Sequence, residues 1–218
     1  LRGNLIIQNG TLQLSNSSLG IIGATAKMDA FYKNEGTQKA YFDYKINASE
    51  FDIKRAYNEI KMFREIVTAA ESAEGIVGLN YSIKGVLNNQ MEPVMPSLEG
   101  SGTLSVKKVK MKGFKLLNVV SAKTENPDIK DPDISKVDIK STIKNNIVTI
   151  ERFKFKVAGF RLRFEGQTSL DGKLNLKMRI GLPPLGILGI PIKVLGTQEN
   201  PDIKLRRKSE DLEETEYV

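Results

Sequence analysis

The chain has 218 residues, a formal net charge of +7, 40% hydrophobic and 27% charged residues, and neither cysteine nor histidine. This length fits one large β domain with a single core, and the composition is that of a globular chain, not a disordered one. Without cysteine there are no disulfides, thiolate metal sites or cysteine nucleophiles, and without histidine a Ser-His-Asp or Cys-His mechanism cannot be built within the chain.

The first segment, LRGNLIIQNG, has no basic start, apolar stretch and small-residue cleavage site, so it reads as mid-chain sequence and is expected to belong to a longer protein. Ile22, Ala24, Ala26, Met28 and Ala30 alternate as a faint strand. AYFDYKINA then places Phe42, Tyr44, Ile46 and Ala48 on one face. From Asp52 to Ser72 the period changes: Ile53, Ala56, Tyr57, Ile60, Phe63, Val67 and Ala70 have helical spacing, with entry expected at Ser49 and a stop at Gly75. Alternation resumes with Val77, Leu79, Tyr81 and Ile83. A second, shorter helix is expected from Phe114 to Ala122, followed by a strand aligning Val137, Ile139 and Ile143.

The clearest pattern follows. Phe153, Phe155 and Val157 oppose Lys154 and Lys156; after Ala158-Gly159, Phe160, Leu162 and Phe164 oppose Arg161, Arg163 and Glu165. Leu174, Leu176, Met178, Ile180 and Leu182 oppose Lys173, Asn175, Lys177 and Arg179, and Asp171-Gly172 is a hairpin turn signal before them. Successive strand side chains point to opposite faces, so these strands have one apolar and one basic face. The fold expected is mainly β: a strongly curved antiparallel sheet, an open barrel-like groove, with two short amphipathic helices.

No charged residue occurs from Ile180 to Ile192. A membrane-spanning helix needs about 20 apolar residues, and this shorter run carries Pro183, Pro184 and Pro191. It is expected instead to be a strand to Leu182, a greasy bend over Pro183 to Gly189, and a final edge strand from Pro191 to Leu195, where proline is tolerated. ENPDIK occurs at Glu125–Lys130 and again at Glu199–Lys204, and each copy is expected to bend the chain into or out of a strand. Residues 204–218 form a charged tail expected to be mobile.

Asp128, Asp131 and Asp133 lack the spacing of a calcium loop and read as a solvated turn. Gly100-Ser101-Gly102 is too short for a phosphate loop, and the Asn16 and Asn47 sequons match a glycosylation pattern that arises by chance. Base stacking wants aromatic and cationic side chains on one side, whereas here they alternate to opposite sides, which argues against nucleic acid. Scattered Lys and Arg on a strand face read as a solvated exterior with a weak attraction to anionic headgroups.

GTLSVKKVKMKGFKLLNVV, then VDIKSTIKNNIVTIERFKFKVAGFRLRFEGQTSLDGKLNLKMRIGLP, then IPIKVLGTQENPDIKL, resembles the C-terminal region of the AsmA family in the order and spacing of its strands, short helix and turns. The resemblance covers residues 100–203, with 1–99 as a weaker earlier copy, so that 1–203 make one groove domain of two related halves. It implies a periplasmic, β-rich segment of an envelope protein, anchored in the inner membrane by an N-terminal helix outside this sequence. Related TamB-like and bridge-like lipid transfer proteins form apolar grooves. On that basis the chain is expected to be no enzyme, to need no cofactor or metal, and to bind phospholipid or another acyl lipid, with membrane surfaces or envelope proteins as further partners. The groove would be lined by Phe42, Tyr44, Ile46, Leu79, Tyr81, Phe153, Phe155, Phe160, Leu162, Phe164, Leu174, Leu176 and Met178, and ended by Leu185, Ile187 and Leu188. The alternatives are a structural or interaction spacer and a membrane β-barrel.

Overall fold

The computed structural model describes residues 2–36, 39–157, 159–183 and 187–205. Among these residues, twelve strands form one antiparallel sheet whose spatial order is the sequence order. They are β1 (Arg2–Gln8), β2 (Thr11–Ile21), β3 (Ala24–Asn34), β4 (Ala40–Asp52), β5 (Ala73–Leu87) and β6 (Glu99–Met111), then β7 (Asp133–Lys144), β8 (Ile147–Val157), β9 (Phe160–Ser169), β10 (Leu174–Gly181), β11 (Gly189–Gly196) and β12 (Pro201–Leu205). β1 and β12 are the two edges, so the sheet does not close into a barrel.

The sheet is mainly held by alternation: along β10 every second residue, Leu174, Leu176, Met178 and Ile180, is buried. Its curvature follows from what one core must reach. Eleven strand spacings of about 4.8 Å would put flat edges about 50 Å apart. Yet one cavity is lined both by Leu19 of β2 and by Leu176 of β10, and the helix between β6 and β7 packs against β12. Breaks in register between Leu14 and Ser17, Ala48 and Phe51, and Ile150 and Phe153 supply local bends.

Three α-helices occur among the described residues, α1 (Ile53–Glu59), α2 (Lys61–Ile66) and α3 (Lys115–Thr124). The single helix expected over Asp52–Ser72 is therefore broken into α1, α2 and a short 3₁₀ turn at Thr68–Ser72. The breaks fall at Ile60 and Val67, whose backbones leave the helical region (φ −114°, ψ 102° and φ −109°, ψ 61°). Both are β-branched and lose side-chain freedom in a helix. Entry is at Asp52, not Ser49, because β4 continues to pair with β5 through Asp52, whose carboxylate accepts from the Arg55 amide at 2.8 Å. For the same reason the segment stops before Ala73, where β5 begins, and Gly75 lies within the strand.

Other corrections concern the ends of the sheet. Ile22 lies in the β2–β3 turn (φ 50°), followed by Gly23 (φ 78°), and does not begin a strand. β11 is not the edge, since β12 pairs with it from Ile192↔Leu205 to Gly196↔Pro201. Pro191 is tolerated because it faces Arg179 of β10 while the described pairing to β12 ends one residue away, at Ile192. Lys204 and Leu205 thus belong to a strand, and 206–218 lie outside the described residues. The two copies of ENPDIK differ: Pro127–Ile129 is a 3₁₀ turn, whereas Pro201 opens β12. Residues 99 and 100 are the first two of β6, which pairs with both β5 and β7, so the two expected halves share one continuous sheet.

Candidate functional site: the concave face

In a meander, alternate connections share an end. α1 and α2 link β4 to β5, and α3 links β6 to β7, so all three helices fold back from the same end of the sheet. They turn their apolar sides onto the concave face: Ile53, Ala56 and Phe63 from α1 and α2, and Leu116, Leu117 and Val120 from α3, are buried with Val77, Val106 and Val109. α3 also reaches the far side of the curl, where Lys115 pairs with Glu199 beside β12. At the opposite end a smaller cluster of Ala40, Phe42, Ile83, Leu87, Leu98, Ile143 and Val148 closes the concavity.

Between these clusters lies a cavity of about 470 Å³. Its walls run from Leu19, Ile21 and Met28 through Ile46, Leu79, Leu104, Ile139 and Ile150 to Phe153, Phe164 and Leu176, roofed by Ile60, Met62, Phe63 and Ile66. Among the described residues, the polar side chains on its wall are those of Thr68, Tyr81, Ser141, Thr168 and Gln198, and none that lines it is charged. The Tyr81 hydroxyl lies 3.1 Å from the Ser141 hydroxyl oxygen. Burial pushes the Tyr81 and Tyr44 phenols above their ordinary pKa, with Tyr32 adding to the shift at Tyr44 and the Ser141 hydrogen bond partly offsetting it at Tyr81. Both therefore stay neutral at physiological pH.

Gly102 makes room for this arrangement. A Cβ there would lie 2.5 Å from the Tyr81 ring and 2.2 Å from the Asn80 carbonyl oxygen. The ring occupies the space above the glycine and reaches β7.

Of the expected groove residues, Ile46, Leu79, Tyr81, Phe153, Phe155, Phe164, Leu174 and Leu176 line the cavity. Phe42 is buried in the smaller cluster and Tyr44 packs against it, while Leu162 and Met178 lie within the larger core and Phe160 against it. At the bend, Leu185 lies outside the described residues. Ile187 and Leu188 are 73% and 76% exposed and do not line the cavity, so this part of the bend is a surface feature and not the groove's end wall. The roof residues Ile60, Met62 and Ile66 line the cavity but are not among the expected groove residues. Ile60 belongs to the apolar stripe of the helical segment, but the stripe alone gives no sign of a space beneath it.

Asp128, Asp131 and Asp133 do not gather with other acids; Asp131 accepts a hydrogen bond from the Gly113 amide at 2.8 Å. No group of three or more acidic residues placed to hold a metal ion is found among the described residues. None of the described helices is long and apolar enough to cross a membrane. No family model matches the chain, and neither a curated protein nor a solved structure is significantly similar to it.

Proposed function

We propose that the concave face receives the acyl chain of a lipid, and that the chain is a groove segment of an AsmA-like envelope protein. In that setting it supports lipid transport between membranes and outer-membrane biogenesis, facing the periplasm in a parent protein anchored in the inner membrane. The observation that carries this reading is the cavity of about 470 Å³, on whose wall none of the described side chains is charged. With about 30 Å³ for a group the size of a water molecule, such a space matches one long acyl chain. Each buried methylene contributes about 0.8 kcal/mol, so a chain can bind without a directed polar anchor, and headgroup selectivity would be weak.

The spacer alternative draws on the extent to which α1–α3 already cover the concave face, where Ala56, Val77 and Val120 are fully buried. On that reading the cavity stays dry and empty. The barrel alternative would need an apolar exterior, whereas the outer positions of β8–β10 are largely Lys and Arg. Native mass spectrometry of the purified chain, with photo-crosslinkable phospholipid added, separates the first two. Retained lipid that is lost in Phe155→Asp, Phe164→Asp and Leu176→Asp variants of native circular dichroism supports the groove. No retained or crosslinked lipid supports the spacer.

A further inference from the structure

The outer faces of the last five strands carry an arrangement that folding does not require. β8–β12 contain nine Lys or Arg and three Asp or Glu. By register, Lys154 of β8 stands opposite Arg163 of β9, which stands opposite Arg179 of β10. One row nearer the strand ends, Lys156 stands opposite Arg161. On the other side of the patch, Lys177, Lys193 and Lys204 are successive cross-strand neighbours over β10, β11 and β12, with Glu165 of β9 opposite Lys177 on its other side. Like charges directly opposite in an antiparallel pair are unfavourable. Of the nearby carboxylates, Glu165 is engaged by Arg152 through two hydrogen bonds, at 2.7 and 3.2 Å, and Asp202 lies 3.6 Å from Lys204. The rows concentrate positive potential that an external anion would relieve.

Beside the cations lies an apolar projection. The β8–β9 turn and the β10–β11 bend leave the same end of the sheet, close enough that a Cβ on Gly159 would be 3.6 Å from the Pro183 ring. From this bend Ile187 and Leu188 project into solvent. The bend is tied back to the basic face by the Arg179 guanidinium, which donates to the Ile187 carbonyl at 2.5 Å.

We propose that the outer face of β8–β12, rimmed by Ile187 and Leu188, docks the chain on a bilayer surface rich in anionic lipid. The cation rows meet the phosphates, and the two aliphatic side chains enter the headgroup boundary, combining the electrostatic and apolar signals that stable peripheral binding needs. Single-stranded nucleic acid fits less well, because Phe153, Phe155, Phe160 and Phe164 all lie on the inward parity and leave this face without an aromatic platform. An acidic protein would satisfy the cations but gives no use to the exposed tip.

Flotation of the full chain with phosphatidylcholine vesicles, and with vesicles also containing phosphatidylglycerol, tests the assignment. Binding should require the anionic lipid and weaken as salt is raised. Joint Lys156→Glu and Arg161→Glu substitution should reduce it by about tenfold or more, as should joint Ile187→Asp and Leu188→Asp. Lys27→Glu with Lys33→Glu, the same change in net charge on β3, should leave binding nearly unchanged; circular dichroism checks folding in each case. Phe155→Asp, even with loss of retained lipid, should still dock, which keeps this result separate from the groove reading. Should reversal of the Lys156 and Arg161 charges unfold the chain, Lys154→Gln with Lys193→Gln gives the milder version of the same loss. Equal binding to neutral vesicles, an equal loss in the β3 variant, or binding to RNA or an acidic polypeptide without binding to vesicles would overturn the proposal.

Discussion

The two flanks of the sheet are alike inside and opposite outside. On the outer face of the N-terminal flank, Asp29 stands opposite Lys45, and Asp43 opposite Lys84, which reaches Glu99 at 3.1 Å. β1–β5 hold five basic and five acidic residues, against nine and three in β8–β12. The inner faces show no such contrast: Ala48, Val77, Leu162 and Ile180 enter one core. Burial constrains the inner positions equally in both flanks, whereas an outer position is free once it is polar. Paired opposite charges are what stability alone would select there, so rows of like charge point to a demand from outside the fold.

The strongest way to break the inner equivalence is to put a charge on each wall. Phe155→Asp and Leu79→Asp should each destabilise by at least about 3 kcal/mol, measured by urea unfolding, with both variants losing retained lipid if they stay folded. A large effect in only one flank would show that the cavity is served by one wall. Next in size is Gly102→Ala between the flanks, where crowding against Tyr81 and the Asn80 carbonyl should cost about 1–3 kcal/mol, read from the same unfolding curves. If this variant matched the parent, the close approach of the Tyr81 ring would not matter.

The outer contrast gives smaller effects of opposite sign. Arg163→Glu places an acid between Lys154 and Arg179 and should stabilise by about 0.5 kcal/mol, whereas Lys45→Glu sets an acid opposite Asp29 and should destabilise by a similar amount. Thermal melts at low and high salt check this, because both shifts should shrink as salt is raised. Two changes of the same sign would remove the contrast.

The smallest effect sharpens the N-terminal side alone. Lys61 of α2 pairs with Glu92 in the β5–β6 connection, tying the roof to the opposite end of the cavity. The hydrogen bond from Lys61, then that from Asn88, holds the Glu92 carboxyl below the ordinary glutamate pKa, and the same pair raises that of Lys61. The Glu92 contribution is present above its unfolded pKa and lost as pH falls through the depressed folded value. The Lys61 contribution is present below its unfolded pKa and lost as pH rises through the raised one. Hydrogen exchange in α2 should therefore gain protection between strong acid and neutrality, with the gain absent in Glu92→Gln.

What the sequence reveals depends on whether one face is buried. β4, β5 and β8–β10 were legible from alternation because each presents one face to the core. β1 was not, since all seven of its residues are exposed and Leu5, Ile6 and Ile7 run consecutively without a period of two. Its turn does carry a usable signal, Asn9-Gly10, with both residues at positive φ (49° and 72°). β12 escaped because ENPDIK serves equally as a 3₁₀ turn at its first copy: Ile129 and Ile203 are both buried, and the surroundings choose the backbone. Eight wall positions were legible as an apolar parity, but the roof depends on where the β-branched breaks at Ile60 and Val67 send α1 and α2. That is a tertiary outcome. The outward reach of Ile187 and Leu188 could not be separated from burial by hydropathy alone.

The agreement between strand order and sequence order also bears on how the chain acquires its shape during synthesis. Each new strand finds its hydrogen-bonding partner in the segment made just before it, so sheet growth need not wait for the distant terminus. The packing of β12 against α3 is, by contrast, a long-range event. Emerging vectorially, the chain can assemble hairpin by hairpin, and the entropy cost of joining its two flanks falls at the final closing of the curve.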